Sequence, residues 1–249
     1  MEHHSYKINK DIPVPLYYQL KQVILNDIKQ NVLKVGSSIP TEAEFCNMLN
    51  ITRPTVRQAL SELVNEGYLY RLKGKGTFVS KPKIDARFFQ KLDSFNNEMT
   101  QKGLKPSTQV IDFKVIPGIK KINSIFDMPE EEELIYLYRL RFADEEPIVF
   151  LETYLPYSQY HEMMDEDFSS TSLYSAIEEK YDRKIARATR KIESVNASKE
   201  NAQLLNIKKN DAIFFVKTTA YDQNDIVVEY SEARYRGDRN QFSIDLARW

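Results

Sequence analysis

Arg139 and Arg141 stand two residues apart in LIYLYRLRFA, residues 134–143, a run whose apolar and aromatic content suits a β-strand. Alternate strand residues project from the same side, so Tyr136, Tyr138, Leu140 and Phe142 share one face and the two guanidiniums project together from the other. Two parallel guanidiniums suit a phosphate, which accepts charge-assisted hydrogen bonds from both. The same spacing also fits the solvent face of a half-buried strand. In VFLETYLP, residues 149–156, Glu152 shares a face with Phe150 and Tyr154, and in IVVEYSEARY, residues 226–235, Glu229 shares one with Tyr235. A carboxylate among apolar neighbours either pairs with an internal arginine or binds the hydroxyls or amine of a ligand.

A second concentration of charge lies at RLKGKGTFVSKPK, residues 71–83, where four lysines and one arginine surround two glycines. The whole chain has a formal charge of −1, yet residues 1–80 hold ten basic against seven acidic side chains, a balance of +3. Positive charge gathered at one turn favours an anionic partner more than the total does.

The elements that must carry these groups follow from hydrophobic spacing. PVPLYYQLKQVILNDIKQNVL, residues 13–33, places Leu16, Leu20, Val23, Ile24 and Ile28 on one face of a first helix. PTEAEFCNMLN, residues 40–50, begins a second helix with Thr41 as N-cap and Glu44 as its capping-box partner, burying Phe45, Met48 and Leu49. ITRPTVRQALSELVNEG, residues 51–67, follows at once, with Pro54 in the first turn, Val56, Ala59, Leu60, Leu63 and Val64 inward, and Gly67 as the stop. Thr52, Arg53, Thr55 and Arg57 then remain outside at the helix N-terminus, where N–H groups and the macrodipole favour phosphate. They fit both an ordinary solvated face and a DNA-reading one. YLYRL and TFV, joined by Lys73, Gly74, Lys75 and Gly76, form a basic hairpin after this helix-turn-helix, which together make a winged helix. A nucleotide-binding loop is a poor fit to the Gly-Lys-Gly, since no Lys-Ser/Thr pair and no helix follow it.

Composition narrows the rest. With 249 residues, 42% hydrophobic and 29% charged, the chain suits one large or two ordinary folded domains. No run of eighteen apolar residues and no signal-like start are present, so the reading is a cytoplasmic protein without a membrane span. One cysteine, Cys46, excludes an internal disulfide framework. With His3 and His4 near the terminus, only His161 is left, so no metal site, cofactor or histidine-dependent triad is expected.

PTEAEFCNMLNITRPTVRQALSELVNEGYLYRLKGKGTFVS resembles the DNA-binding domain of the GntR family of bacterial transcription regulators. The resemblance implies that Thr41, Thr52, Arg53, Thr55 and Arg57 meet DNA through the recognition helix region, and Lys73, Gly74, Lys75 and Gly76 through the wing tip. The chain departs from many relatives in having Ala43 where they have arginine.

Beyond residue 80, KPKIDARFFQK reads as a linker and the composition then alternates strands with helices. Strands are expected at 107–116, 133–143, 146–156, 184–197, 212–222 and 226–237, and helices at 172–181 and 199–207. Short turns such as ADEEP and DQND argue for antiparallel pairing in an α+β fold. The expected domains are 1–80, a winged helix-turn-helix, 81–92, a linker, and 93–249, a mixed α/β unit with an antiparallel sheet.

IYLYRLRFADEEPIVFLETYLP, SSTSLYSAIEEKY and VVEYSEARYRGDRNQFSIDL are similar to the UTRA effector domain of the HutC subfamily of GntR regulators. The Arg-x-Arg strand and KLDSFNNEM resemble in particular regulators of N-acetylglucosamine use, whose effectors are phosphorylated amino sugars. That resemblance implies a phosphate held by Arg139, Arg141, Ser172 and Tyr174, and a sugar lined by Phe95, Asn96, Glu152, Glu229 and Tyr235. It further implies a homodimer on a pseudo-palindromic double-stranded operator, acting as a repressor. The UTRA fold is shared with chorismate lyase, which raises an enzyme as the rival. Only Glu152 and Glu229 could serve as acid and base there and nothing marks them as catalytic, so the reading is a sensor with no catalytic residues.

Overall fold

The computed structural model describes residues 6–81, 83–85 and 92–244. His3, His4 and much of the expected linker, residues 82 and 86–91, lie outside the described residues. The chain divides into two compact units, Met1–Lys83 and Ile84–Trp249.

The first unit has three helices, α1 (Leu16–Lys29), α2 (Glu42–Leu49) and α3 (Arg53–Asn65), and a hairpin of β1 (Leu69–Leu72) and β2 (Gly76–Val79). Their apolar stripes converge on one core holding Leu20, Ile24, Phe45, Val56, Ala59, Leu60 and Leu63. The expected capping box is present: Thr41 Oγ1 accepts from the Glu44 N–H, and the Thr41 N–H donates to Glu44 Oε2 at 2.7 Å. Met48, expected inside, is 48% exposed. The buried residues of the eight-residue α2 are Phe45 and Leu49; Met48, three residues on from Phe45 and about 100° round the helix from Leu49, falls at the edge of that stripe, just before the helix ends at Asn50 in the left-handed conformation. The hairpin also gains an unexpected edge, since the Val79 N–H donates to the Ser37 carbonyl at 2.9 Å and the Ile39 N–H to that of Thr77 at 3.0 Å.

The second unit is built on six antiparallel strands: β4 (Pro106–Ile116), β5 (Leu134–Ala143), β6 (Glu146–Pro156), β7 (Ile185–Asn196), β8 (Ala212–Asp222) and β9 (Val227–Arg236). Their order is β4-β5-β6-β9-β8-β7, two meanders joined where β9 lies against β6. This is an α+β fold with an antiparallel sheet, as the turns foretold. A short parallel pair, β3 (Ile84–Asp85) with β10 (Asn240–Gln241), stands apart from it, and β3 falls within the stretch read as linker.

One face of the sheet is covered by α7 (Leu173–Tyr181), whose Leu173, Ala176 and Ile177 pack on Ile135, Leu137 and Leu155. Towards the other end of that face lies α4 (Phe95–Gln101), with Met99 packed on Ala143 and Ile148. The opposite face carries α8 (Lys199–Leu204) over Leu140 and Phe150 and α5 (Lys120–Asn123) beside Leu134 and Tyr154; α6 (Tyr157–Tyr160) follows β6 directly.

The β5–β6 hairpin decides which side chains meet. Asp144 and Glu145 both have positive φ, 51° and 65°, giving a tight two-residue turn that pairs Ala143 with Glu146 and Phe142 with Pro147. The next pair is Arg141 with Val149, so Ile148 is a surplus residue, a β-bulge, and it is buried against Ile84 and Met99. Every pairing beyond the bulge is therefore moved by one: Arg139 faces Leu151, and Tyr138 faces Glu152.

Candidate functional site

A cavity lies on the α4–α7 face of the sheet, lined by both helices' N-terminal ends and by strands β4 to β9. Its strand residues follow from register. Arg139 and Arg141 of β5 share this face with Leu151 of β6, Ser231, Ala233 and Tyr235 of β9, Thr218 of β8 and Arg190 of β7. Phe95, Asn96, Ser172, Tyr174, Glu229 and Tyr235 also line it, so the cavity brings together eight of the nine residues expected around a ligand.

Glu152 is the ninth and stands elsewhere. Its Oε1 accepts from the Tyr136 hydroxyl at 3.0 Å and its Oε2 from Arg234 Nη1 at 2.9 Å, on the opposite face of the sheet. The bulge at Ile148 is the physical reason. Without it, Glu152 would pair with Leu137 and fall on the arginine face; one surplus residue turns it to the other. Of the two fates open to a carboxylate among apolar neighbours, Glu152 takes the internal arginine.

The arginine pair is unusual in its surroundings. Arg139 is 2% exposed, its Nη2 donates to Thr153 Oγ1 at 3.4 Å, and its Nε is buried without a hydrogen-bond partner. The Nε of Arg141 is likewise buried and unpartnered, and its guanidinium lies 5.2 Å from the centre of the Phe95 ring. Burial and then the neighbouring Arg141 push the Arg139 guanidinium well below its ordinary pKa, against the opposing pull of Glu229. Two neighbouring cations, each with a buried and unsatisfied Nε, have the chemistry of an anion site.

Glu229, 3% exposed, accepts from the Tyr174 hydroxyl at 3.0 Å. Burial raises its carboxyl above the ordinary value, and Ser231, Tyr174, Arg139 and Arg190 pull it back. Burial also pushes the Tyr235 hydroxyl up to about 12, so this tyrosine stays a neutral donor at physiological pH. Ser172 is the N-cap of α7 and makes no side-chain cap bond. Sequence reading missed Arg190, Thr218 and Ser231. Ser231 shares the strand face of Glu229 and could have been found by alternation, whereas Arg190 becomes visible only once the strand order is known.

In the first unit the expected DNA-facing residues gather at one end of α3. Arg53, Pro54, Arg57, Gln58 and Ser61 form a shallow depression. Thr52, the N-cap, makes no bond to the first-turn N–H groups, and its hydroxyl sits 2.8 Å from that of Thr55. Arg53 Nε and Arg57 Nη2 both reach Glu42 Oε2, at 3.2 and 3.5 Å, while remaining 68% and 62% exposed. Partial burial tends to raise the Glu42 carboxyl, but the two arginines outweigh it and hold it below the ordinary value. Thr41 is exposed, with its hydroxyl committed to the cap. Lys73, Gly74, Lys75 and Gly76 form the exposed tip of the hairpin, closed by Lys75 N–H to Leu72 carbonyl at 3.0 Å. Gly74 has φ of 74° with open space where a Cβ would stand, so glycine is required there by conformation.

A winged helix-turn-helix with an open helix N-terminus, followed by an antiparallel α+β unit holding an arginine-lined cavity, is the architecture of a DNA-binding transcription regulator. Residues 16–79 match the bacterial regulatory proteins, gntR family, and residues 101–241 match the UTRA domain. The chain is 37% identical over 235 residues to the HTH-type transcriptional repressor NagR of Bacillus subtilis (strain 168), covering 94% of this chain and 96% of that one. It is 27% identical to the mannosyl-D-glycerate transport/metabolism system repressor MngR of Escherichia coli (strain K12), over 92% and 95% of the two chains. Among solved structures, PhnF from Mycobacterium smegmatis shares the fold, with a TM-score of 0.70 at 23% identity, over 90% of this chain and 98% of that one. The chain belongs to the GntR family and carries a UTRA domain: it is a DNA-binding regulator of transcription of the HutC type, and not an enzyme. Among the described residues no helix is long and apolar enough to cross a membrane, and no cluster of three or more His, Cys, Asp or Glu side chains could hold a metal ion.

Proposed function

We propose that this repressor is controlled by a small phosphorylated sugar, an amino-sugar phosphate such as glucosamine-6-phosphate or N-acetylglucosamine-6-phosphate. The observation that carries the reading is the buried Nε of both Arg139 and Arg141, which line one cavity, each without a partner. A phosphomonoester dianion supplies the acceptors and the charge that such a pair needs. Ser172 and Tyr174, at the N-terminus of α7, complete the phosphate end, and Phe95, Asn96, Glu229 and Tyr235 take the sugar. Identity with NagR over nearly the whole chain supports the amino-sugar class.

On this reading the first unit meets a pseudo-palindromic operator as one half of a homodimer, with Thr52, Arg53, Thr55 and Arg57 at base edges and phosphates and the Lys73–Gly76 tip as the wing. Residues 81–92 serve as the linker between the two functions. The test is calorimetry of each amino-sugar phosphate and its unphosphorylated parent on wild type and on Arg141→Ala. The phosphorylated ligand should bind wild type far more tightly than the parent, and Arg141→Ala should erase that difference. Equal affinity of wild type for both would overturn the phosphate assignment.

A further inference from the structure

The two edges of the six-stranded sheet are built differently. β4, at one edge, begins with Pro106, shifts register at Ile111 and carries Lys114, three features that discourage another strand from pairing there. β7, at the other edge, runs from Arg187 to Asn196 in unbroken register with β8 and holds no proline. Among the described residues no strand pairs with its outer side. The side chains at its middle also lack complements within the sheet. Lys191 is exposed and its cross-strand neighbour is Lys217, a like charge directly opposite, which destabilises a strand pair. Lys217 in turn donates to Glu193 Oε1 at 3.1 Å, and the Glu193 side chain keeps 52% of its surface exposed. On the other face of the sheet, Leu151, Ala233, Val216 and Ile192 stand in register across β6, β9, β8 and β7. The first three are buried, whereas Ile192 is 41% exposed where the row meets the open edge.

We infer that a second copy of this chain pairs with β7 along this edge, antiparallel and in the register that sets Ile192 opposite its own counterpart. The inference rests on the homodimer reading above and gives it a surface. Charge selects the register. With Ile192 on the two-fold axis, Lys191 lies opposite Glu193 of the partner subunit and Glu193 opposite Lys191 of the partner subunit, so each lysine left facing Lys217 gains an acid. Moving the axis by one residue in either direction sets Lys191 opposite Lys191 or Glu193 opposite Glu193, a repulsion at the centre of the contact. In the favoured register the apolar row runs unbroken from Leu151 of one protomer to Leu151 of the partner subunit, and the two Ile192 side chains cover each other. Residues 188–196 of each protomer pair, about 30 Å of strand, and the outward N–H and C=O groups of β7 complete a ladder. A lone edge lysine keeps other strands away. The acid two residues on makes the same charge a recognition element, because an antiparallel strand with the inverse order answers it.

Sedimentation velocity of the full chain over a dilution series reads the dimer directly. Lys191→Glu and Glu193→Lys each turn two attractions across the axis into two repulsions, and each should raise the dimer dissociation constant roughly tenfold or more. The double variant Lys191→Glu/Glu193→Lys restores opposite charges and should recover most of that loss. Lys191→Glu also sets an acid opposite Lys217, so its monomer should fold at least as well as wild type, which melting temperatures check. Ile192→Cys tests the axis itself. Paired Cα atoms of an antiparallel ladder stand about 4.5–5.5 Å apart, within disulfide reach, so oxidised glutathione should link the two protomers. Thr189→Cys, about 20 Å from its counterpart in this register, should not be linked, and wild type, with Cys46 alone, gives the background. A dimer indifferent to both charge reversals, a double variant no stronger than the single ones, or a link at Thr189→Cys but not at Ile192→Cys would overturn the inference and leave the homodimer reading standing. Wild type that stays monomeric throughout the series would bring down both.

Discussion

Arg139→Met should make the ligand-free protein more stable while abolishing its response to effector. The guanidinium is 2% exposed, its Nε has no partner, and its charge is opposed by Arg141. An unsatisfied buried donor costs about 1–3 kcal/mol, and replacing a buried ion by an apolar side chain of similar length is neutral or stabilising by about 1–4 kcal/mol. Two losses stand against the gain. The bond from Nη2 to Thr153 is long at 3.4 Å, worth about 1 kcal/mol at most. Glu229 loses one of the two arginines that act on it, but its carboxyl is already raised by burial and can answer by taking a proton. The net expectation is a gain of about 1–2 kcal/mol, or about 2–8 °C in melting temperature for a unit of this size. Scanning calorimetry in phosphate-free buffer reads the first quantity. The same scan with saturating sugar phosphate reads the second, where wild type should rise and the variant should not. A drop in the ligand-free melting temperature would show that Arg139 is the structural counter-ion of Glu229 and refute the reasoning.

Lys75→Ala in the wing should weaken binding to operator and random DNA alike and lower the salt slope by about one unit, whereas Arg53→Ala should lose about 1–3 kcal/mol of discrimination between them; fluorescence anisotropy across a salt series separates the two. Because Glu42 holds both Arg53 and Arg57, Glu42→Gln should release them and tighten binding to random DNA in the same assay, and weaker binding would mean that the carboxylate aligns the arginines for DNA. Glu152→Gln should cost about 1 kcal/mol of stability or less through its half-buried pair with Arg234 and leave effector affinity unchanged by calorimetry; a large loss of affinity would put Glu152 back among the ligand contacts. The Glu62 carboxyl is held below its ordinary value, chiefly by its hydrogen bond from Lys21. A depressed folded-state pKa gives stability that is present above the unfolded value, about 4.3, and lost as pH falls through the folded one. Glu62→Gln should therefore flatten the decline in melting temperature below about pH 4.3, and an unchanged acid slope would show that the pair contributes nothing.

Much of the regulator was readable before any coordinates. The capping box at Thr41 and Glu44, the inward stripe of α3 and the shared face of Arg139 and Arg141 are local patterns fixed within a few residues, and each stands as spacing implied. What escaped is non-local or too short to be periodic. The seven residues of α4 give less than two full turns, and β3 and β10 have two residues each, so neither offers a repeat to detect. The Ser37–Ile39 edge of the wing is made by backbone bonds to β2 that no side chain announces. Glu152 was placed among ligand contacts by resemblance, and its own alternation could not say which face of the assembled sheet it would take. Arg190 joined the cavity only through the order of strands that lie between it and β5.

The surplus residue at Ile148 makes the β5–β6 hairpin a parity device. Running the ladder straight through, with Ile148 opposite Arg141, would remove no charge, yet it would exchange the two sides of β6 as seen from β5. Phe150, Glu152 and Tyr154 would come to lie beside Arg139, and Leu151 and Thr153 would move to the back. The pocket would acquire another acid next to its cations and lose the hydroxyl beneath Arg139, an inversion of recognition chemistry by a slip of one residue in register. Anyone grafting this cavity onto another sheet must therefore preserve the pairing of Arg141 with Val149 before considering the identity of the residues between.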